Sequence, residues 1–143
     1  MKVVLQRVKS ASVTVEKEII GQIGRGYLVL LGVGKEDTHK TVDDMIAKIK
    51  KLRLFPDQDG KTNLSIADVD GEILVVSQFT LYADTRKGTR PSFTESAPPD
   101  LANTLYEYFL QAAQPHFKKV AAGQFAADMD VALVNDGPFT VVL

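Results

Sequence analysis

The sequence predicts an α/β fold: one domain over residues 1–143, in which a mixed, largely antiparallel, barrel-like sheet carries two main helices. Three observations lead there. Two short apolar runs, Tyr27–Val33 and Ile73–Val76, have the continuity of strands covered on both faces. Two stretches, 38–53 and 96–115, repeat their apolar residues three and four apart, the period of a helix buried along one stripe. No internal repeat or low-complexity linker divides the 143 residues, which suffice for one full core.

From the start of the chain, Val3, Leu5 and Val8, then Val13 and Val15, alternate with Gln6, Arg7, Thr14 and Glu16. This period of two predicts two half-buried strands joined as a hairpin around Lys9-Ser10-Ala11-Ser12. After Ile19–Ile23, the turn Gly24-Arg25-Gly26 leads into Tyr27–Val33, the expected centre of the sheet. The glycine pairs at 24 and 26 and at 32 and 34 read as turns, because no GxxxxGK[ST] pattern follows either. From Thr38 to about Arg53, Val42, Met45, Ile46, Ile49 and Leu52 form the apolar stripe of the first helix, and Thr41 with Asp44 echoes a capping box near its start. Its lysines read as a solvated face that could also attract RNA. Pro56-Asp57-Gln58-Asp59-Gly60 is a turn by composition.

The strand Ile73–Val76 runs straight into Ser77-Gln78-Phe79-Thr80, and beyond it Tyr82–Phe93 reads as a mobile basic loop carrying Arg86, Lys87 and Arg90. Ser96-Ala97-Pro98-Pro99 opens the second helix, with Leu101, Leu105, Phe109 and Ala112 on its stripe and Pro115 at its close. Val120–Phe125, Met129–Val134 and Phe139–Leu143 read as three short strands.

Composition narrows the function classes. At 45% hydrophobic and 24% charged, the chain has the balance of an ordinary globular protein. No apolar run approaches the roughly 18 residues needed to span a bilayer, and Lys2, Gln6 and Arg7 interrupt any signal-peptide core, so no membrane partner and a cytoplasmic location are expected. With no cysteine, disulfides, thiolate zinc sites and cysteine nucleophiles are excluded. His39 and His116 lie in separate segments without an HExxH pattern, so no metal and no cofactor are expected. A net charge of −1 argues against broad affinity for nucleic acid. Contact with RNA phosphates would need a local patch, for which Arg86, Lys87 and Arg90, with Lys118 and Lys119, are the candidates; DNA is not expected.

The chemistry-bearing candidates stand at the end of an apolar strand, a common place for sites in α/β folds. Ser77 and Thr80 could be hydroxyl nucleophiles, yet a hydroxyl needs an adjacent base, none stands nearby in sequence, and the G-x-S-x-G elbow is absent. Gly137-Pro138 by itself reads as a turn with a trans bond, since only about 5–6% of X–Pro bonds in folded proteins are cis.

Read together, Ser77-Gln78-Phe79-Thr80-Leu81, the tail Asn135-Asp136-Gly137-Pro138-Phe139-Thr140-Val141-Val142-Leu143 and the start Met1–Val8 resemble the motifs of D-aminoacyl-tRNA deacylases, over the whole chain. The resemblance implies a hydrolase that cleaves the ester joining a D-amino acid, or misattached glycine, to tRNA. It implies a homodimer with active sites at the subunit interface. Main-chain donors at Phe79 and Thr80 would stabilise the oxyanion, the side chains of Ser77 and Gln78 would line the pocket, and the 2′-hydroxyl of the tRNA would assist the attacking water. It further implies a cis bond between Gly137 and Pro138, whose carbonyls enter the other subunit's site and exclude L side chains, with Arg7 as the brace. Phe139 stands where the family carries Val or a similar residue. A terminal adenine could stack on Phe79 or Phe139. Two other readings fit the residues alone: a nucleic-acid-binding module without turnover, and a small-ester or peptide hydrolase using Ser77 or Thr80 as nucleophile.

Overall fold

In the computed structural model, which describes residues 1–143, the alternation of Val3, Leu5, Val8, Ala11 and Val13 runs through a single strand, β1 (Lys2–Val15). The expected hairpin at Lys9–Ser12 is corrected. Nothing in Lys9-Ser10-Ala11-Ser12 forces a turn, and the two serines are ordinary ladder residues opposite Val134 and Ala132. The chain turns instead at Glu16 and Lys17, both left-handed with φ of 49° and 68°, and returns as β2 (Glu18–Ile23) along the second half of β1.

β3 (Gly26–Gly32) pairs antiparallel with the first half of β1, and β6 (Glu72–Ser77) lies parallel to β3, from Gly26 opposite Glu72 to Leu31 opposite Ser77. A Cβ at residue 26 would fall 1.8 Å from the Glu72 carbonyl oxygen, so this close approach requires glycine. β7 (Val120–Ala122) continues parallel beside β6, and the order β2-β1-β3-β6-β7 curls until Gly21 of β2 meets Ala122 of β7. The sheet is thus a nearly closed barrel, as expected. The last two expected strands are one, β8 (Asp130–Val142), laid antiparallel along the outside of β1 with its other edge unpaired. A small hairpin, β4 (Phe55–Pro56) with β5 (Thr62–Leu64), flanks the expected turn at 56–60.

The first helix, α1 (His39–Lys51), is capped by Thr38. Its hydroxyl accepts the Thr41 N–H at 3.4 Å, and the Thr41 hydroxyl accepts the Thr38 N–H at 3.0 Å, so the capping box lies three residues ahead of the Thr41–Asp44 pair. The second, α2 (Pro99–Ala113), opens on proline, whose missing N–H costs nothing in a first turn. Val42, Ile46 and Ile49 of α1 and Leu105 and Phe109 of α2 close over Leu5, Val29, Leu31, Ile73 and Val75. The opposite faces of the same strands, Val8, Val13, Leu28, Leu74 and Val76, fill the barrel interior. This division explains the two uninterrupted apolar runs: each successive residue is claimed by a different cluster, and each large side chain contributes about 1.5–3 kcal/mol on burial. No helix is long and apolar enough to cross a membrane.

Candidate active site

β6 ends because its last ladder bond, the Gln78 N–H to the Leu31 carbonyl at 2.8 Å, is followed by a 3-10 turn over Phe79–Tyr82. The turn's own bonds begin with the Leu81 N–H on the Gln78 carbonyl at 3.2 Å. The N–H groups of Phe79 and Thr80 precede the first bond the turn can make, so they stay free of it. The Gln78 side-chain amide donates to the Thr80 hydroxyl, which fixes the glutamine against the turn.

Beside this strand end opens a cavity of about 690 Å³, in the range of roughly 300–1,000 Å³ usual for small-molecule sites. Ser77, Gln78 and Phe79 form one wall, Phe93, Ala97 and Ala102 another, and Phe125 to Met129 the third. Phe79 and Phe93 meet edge to face with centroids 5.0 Å apart. Thr80 is exposed and lies outside the lining. The Phe93 and Phe125–Met129 walls were absent from the sequence reading, because only tertiary packing brings them to β6. The Tyr106 hydroxyl, against the carbonyls of Val75 at 3.0 Å and Gly123 at 2.7 Å, ties the third wall's entry to the sheet.

Neither histidine reaches the cavity. His39 packs on Tyr108 at 4.4 Å between centroids, and His116 Nδ1 lies 3.4 Å from Lys50 Nζ. Ser77 and Thr80 therefore have no imidazole partner, and no cluster of His, Asp and Glu has the grouping of a metal site.

The basic loop is tied down at its base. Asp84 and Ser92 exchange both main-chain bonds, at 2.8 and 2.9 Å, and the Arg86 guanidinium grips Asp84 at 2.9 and 2.6 Å. These hydrogen bonds hold the Asp84 carboxyl down at about 2, well below the usual carboxylate range. The charge of Arg86 is thus already matched, whereas Lys87 and Arg90 are exposed and form no ion pair. Lys118 and Lys119 are elsewhere: the Lys119 carbonyl accepts from Ile73, at the opposite end of β6 from Ser77.

The C-terminal candidates form a second cluster. The Gly137–Pro138 bond is cis, and both residues are exposed on β8. Arg7, only 12% exposed, donates to the Asp136 carbonyl at 2.9 Å and the Leu54 carbonyl at 2.6 Å, pairs with the Asp136 carboxylate at 3.3 Å, and lies 4.2 Å over the Phe139 ring. Phe139 thus packs beneath the arginine. Within one chain this cluster does not meet Ser77. Arg7 is in register with Tyr27, and Tyr27 with Ile73, four residues and about 13 Å down β6 from Ser77.

Fold and site together define a small α/β protein with an apolar cleft at a strand end, beside which stand free main-chain N–H groups and a hydroxyl but no nucleophile–base pair. The family model described as "D-Tyr-tRNA(Tyr) deacylase" matches residues 4–143. A "D-aminoacyl-tRNA deacylase" of Exiguobacterium sp. (strain ATCC BAA-1283 / AT1b) is 57% identical over all of this chain and 97% of its own, and one of Thermosipho africanus (strain TCF52B) is 54% identical over 100% and 96%. A solved structure described as "c-Myc DNA Unwinding Element Binding Protein" superposes with a TM-score of 0.94 at 44% identity, covering 100% of this chain and 97% of that one. The chain belongs to the D-Tyr-tRNA(Tyr) deacylase family, a family of hydrolases.

Proposed function

We propose that the protein hydrolyses the ester of D-aminoacyl-tRNA, and of tRNA misacylated with glycine, by positioning water and substrate instead of by a covalent intermediate. The observation that carries this reading is the wall of Ser77, Gln78 and Phe79 at an apolar cavity with no imidazole in reach. The N–H groups of Phe79 and Thr80 face the developing oxyanion, and one such donor is commonly worth about 2.7–4 kcal/mol. The substrate supplies the rest: its ammonium group activates the ester, and its 2′-hydroxyl orients the water. Water adds to the carbonyl, the ribose oxygen leaves with a proton, and free D-amino acid and tRNA result.

Handedness is read by a second copy. β8 has a free edge with Val134 and Val142 exposed by 53% and 75%, a surface that pairing would cover. A two-fold homodimer gives each site a residue pair from the other chain, and the exposed carbonyls around Gly137–Pro138 then stand over the cavity. There they accept the substrate ammonium and leave no space for an L side chain.

Incubation with D-tyrosyl-tRNA and L-tyrosyl-tRNA side by side tests the reading. Loss of the D ester with the L ester spared is expected; equal loss, or no loss, overturns it.

Thr80→Ala distinguishes positioning from attack. It removes one neutral hydrogen bond to Gln78, worth about 0.5–1.5 kcal/mol, so the rate falls no more than about tenfold. A nucleophile's removal costs several further orders of magnitude. For the RNA, the free charges of Lys87 and Arg90 meet phosphates. Replacing either by alanine lowers the slope of log affinity against log salt by about 0.7–0.9, whereas Arg86→Ala moves it less because Asp84 already matches that charge.

A further inference from the structure

The register of β8 on β1 contains a discontinuity at the Gly137–Pro138 segment. Gln6 pairs with Thr140 and Val8 with Asn135, so Asp136, Gly137, Pro138 and Phe139 all stand opposite the single residue Arg7. A common bulge sets two residues against one; here four do so, and the surplus stands off the sheet as a protrusion with Gly137 and Pro138 exposed. Such a protrusion has lost its ladder bonds and needs another fastening.

The Asn135 carboxamide supplies it. Its oxygen accepts the Phe139 N–H at 3.2 Å, and its nitrogen donates to the Phe139 carbonyl at 3.0 Å. The side chain therefore acts as a peptide unit, presenting a donor and an acceptor to one residue as a neighbouring strand would, and closes Asp136-Gly137-Pro138 into a three-residue loop. The second amide hydrogen reaches the Arg7 carbonyl at 2.9 Å, fastening the loop's neck to β1. All donors and acceptors of the group except one lone pair are thereby used. Arg7 grips the near side through the Asp136 carbonyl and touches the far side only by lying over the Phe139 ring, whereas Asn135 hydrogen-bonds both the N–H and the carbonyl at the far end.

We propose that Asn135 is a positioning residue for chiral selection, setting how far and at what angle the Gly137–Pro138 carbonyls project into the second copy's cavity. The inference rests on the reading of Gly137–Pro138 as the chiral filter. It assigns selectivity to a side chain that touches neither substrate nor reacting atoms.

Two variants separate positioning from space-filling. Asn135→Asp keeps the shape and one acceptor for the Phe139 N–H but has no hydrogen to donate to the Phe139 and Arg7 carbonyls; Asn135→Ala removes all three bonds. Both are expected to lower kcat on D-tyrosyl-tRNA at least tenfold with little change in KM. Both should also narrow the ratio of D to L hydrolysis at least tenfold, with melting temperature and dimer content as in the unaltered chain. Asn135→Asp behaving like the unaltered chain while Asn135→Ala fails would assign the residue a packing role and overturn the inference. Unchanged selectivity in both, beside a disabled Gly137→Ala control, overturns it too and leaves the filter reading intact. If Gly137→Ala is also normal, the filter reading itself has failed. Should Asn135→Ala unfold, the Asp variant, isosteric and only half-buried on an edge strand, carries the decision alone.

Discussion

Gly137→Ala is expected to cut hydrolysis of D-aminoacyl-tRNA by on the order of 10²-fold while the chain stays folded. A Cβ built at residue 137 lies 2.0 Å from the Phe139 nitrogen, 3.1 Å from its α-carbon and 2.7 Å from the Asn135 side-chain oxygen. The two nearest obstacles to relaxation are main chain and a carboxamide already committed to three bonds, so neither can swing aside as the end of a flexible side chain could. The protrusion must move. Residue 137 is exposed and belongs to neither apolar cluster, so the movement opens no core cavity and the melting temperature holds within a few degrees. At an active site the same movement is severe, because a misplacement of about 1 Å costs on the order of 10²-fold in rate. The measurement is ester loss from D- and L-tyrosyl-tRNA with the purified variant beside the unaltered protein, with circular dichroism to show the fold. Normal D hydrolysis with the L form still spared would sink the filter role of Gly137.

How far the sequence foretold these features depended on what each residue's neighbours decide. Tyr27–Val33, Ile73–Val76 and both helices were legible, because their apolar periods are the imprint of the clusters that bury them. The turn at Glu16 and Lys17 was not. A tight hairpin with two left-handed residues normally advertises itself with Asn and Gly, and here two charged residues take that conformation in the register set by β1 and β2. Gly137-Pro138 misled in the opposite sense: residues that usually end a strand sit inside one, tolerated because β8 is an edge and the excess residues bulge away from β1. The Ser77–Thr80 wall was visible as polar chemistry at an apolar strand's end. The Phe93 and Phe125–Met129 walls, and the quenching of Arg86 by Asp84, belong to tertiary contacts that leave no local pattern.

Mixing two inactive variants restores activity if each site is shared by two copies. Phe79→Pro removes one of the two main-chain N–H groups that the turn leaves free; the first position of a 3-10 turn accommodates proline, and Gln78, at φ −142° and ψ 80°, is already outside the helical region that proline disfavours in its predecessor. The loss of a donor costs about 10²–10³-fold. Gly137→Ala disables the other half of the site. In a heterodimer the Gly137→Ala copy supplies an intact Phe79 turn facing an intact Gly137 from the Phe79→Pro copy, while the second site carries both defects. Random pairing makes half the dimers mixed, each with one sound site of two, so co-expressed protein recovers about a quarter of the unaltered activity. Each parent alone stays near background. Within one chain the two residues lie apart: Arg7 holds the Asp136 carbonyl beside Gly137 at the Ile73 end of β6, and the cavity opens at the Ser77 end. If the two residues served the same site from one chain, the mixture would contain no sound site at all. Co-expression with a different affinity tag on each variant, purification over both tags and a D-tyrosyl-tRNA release assay separate the outcomes: the doubly tagged fraction contains only mixed dimers and is expected to show about half the unaltered activity, and a doubly tagged dimer without activity would refute the shared site.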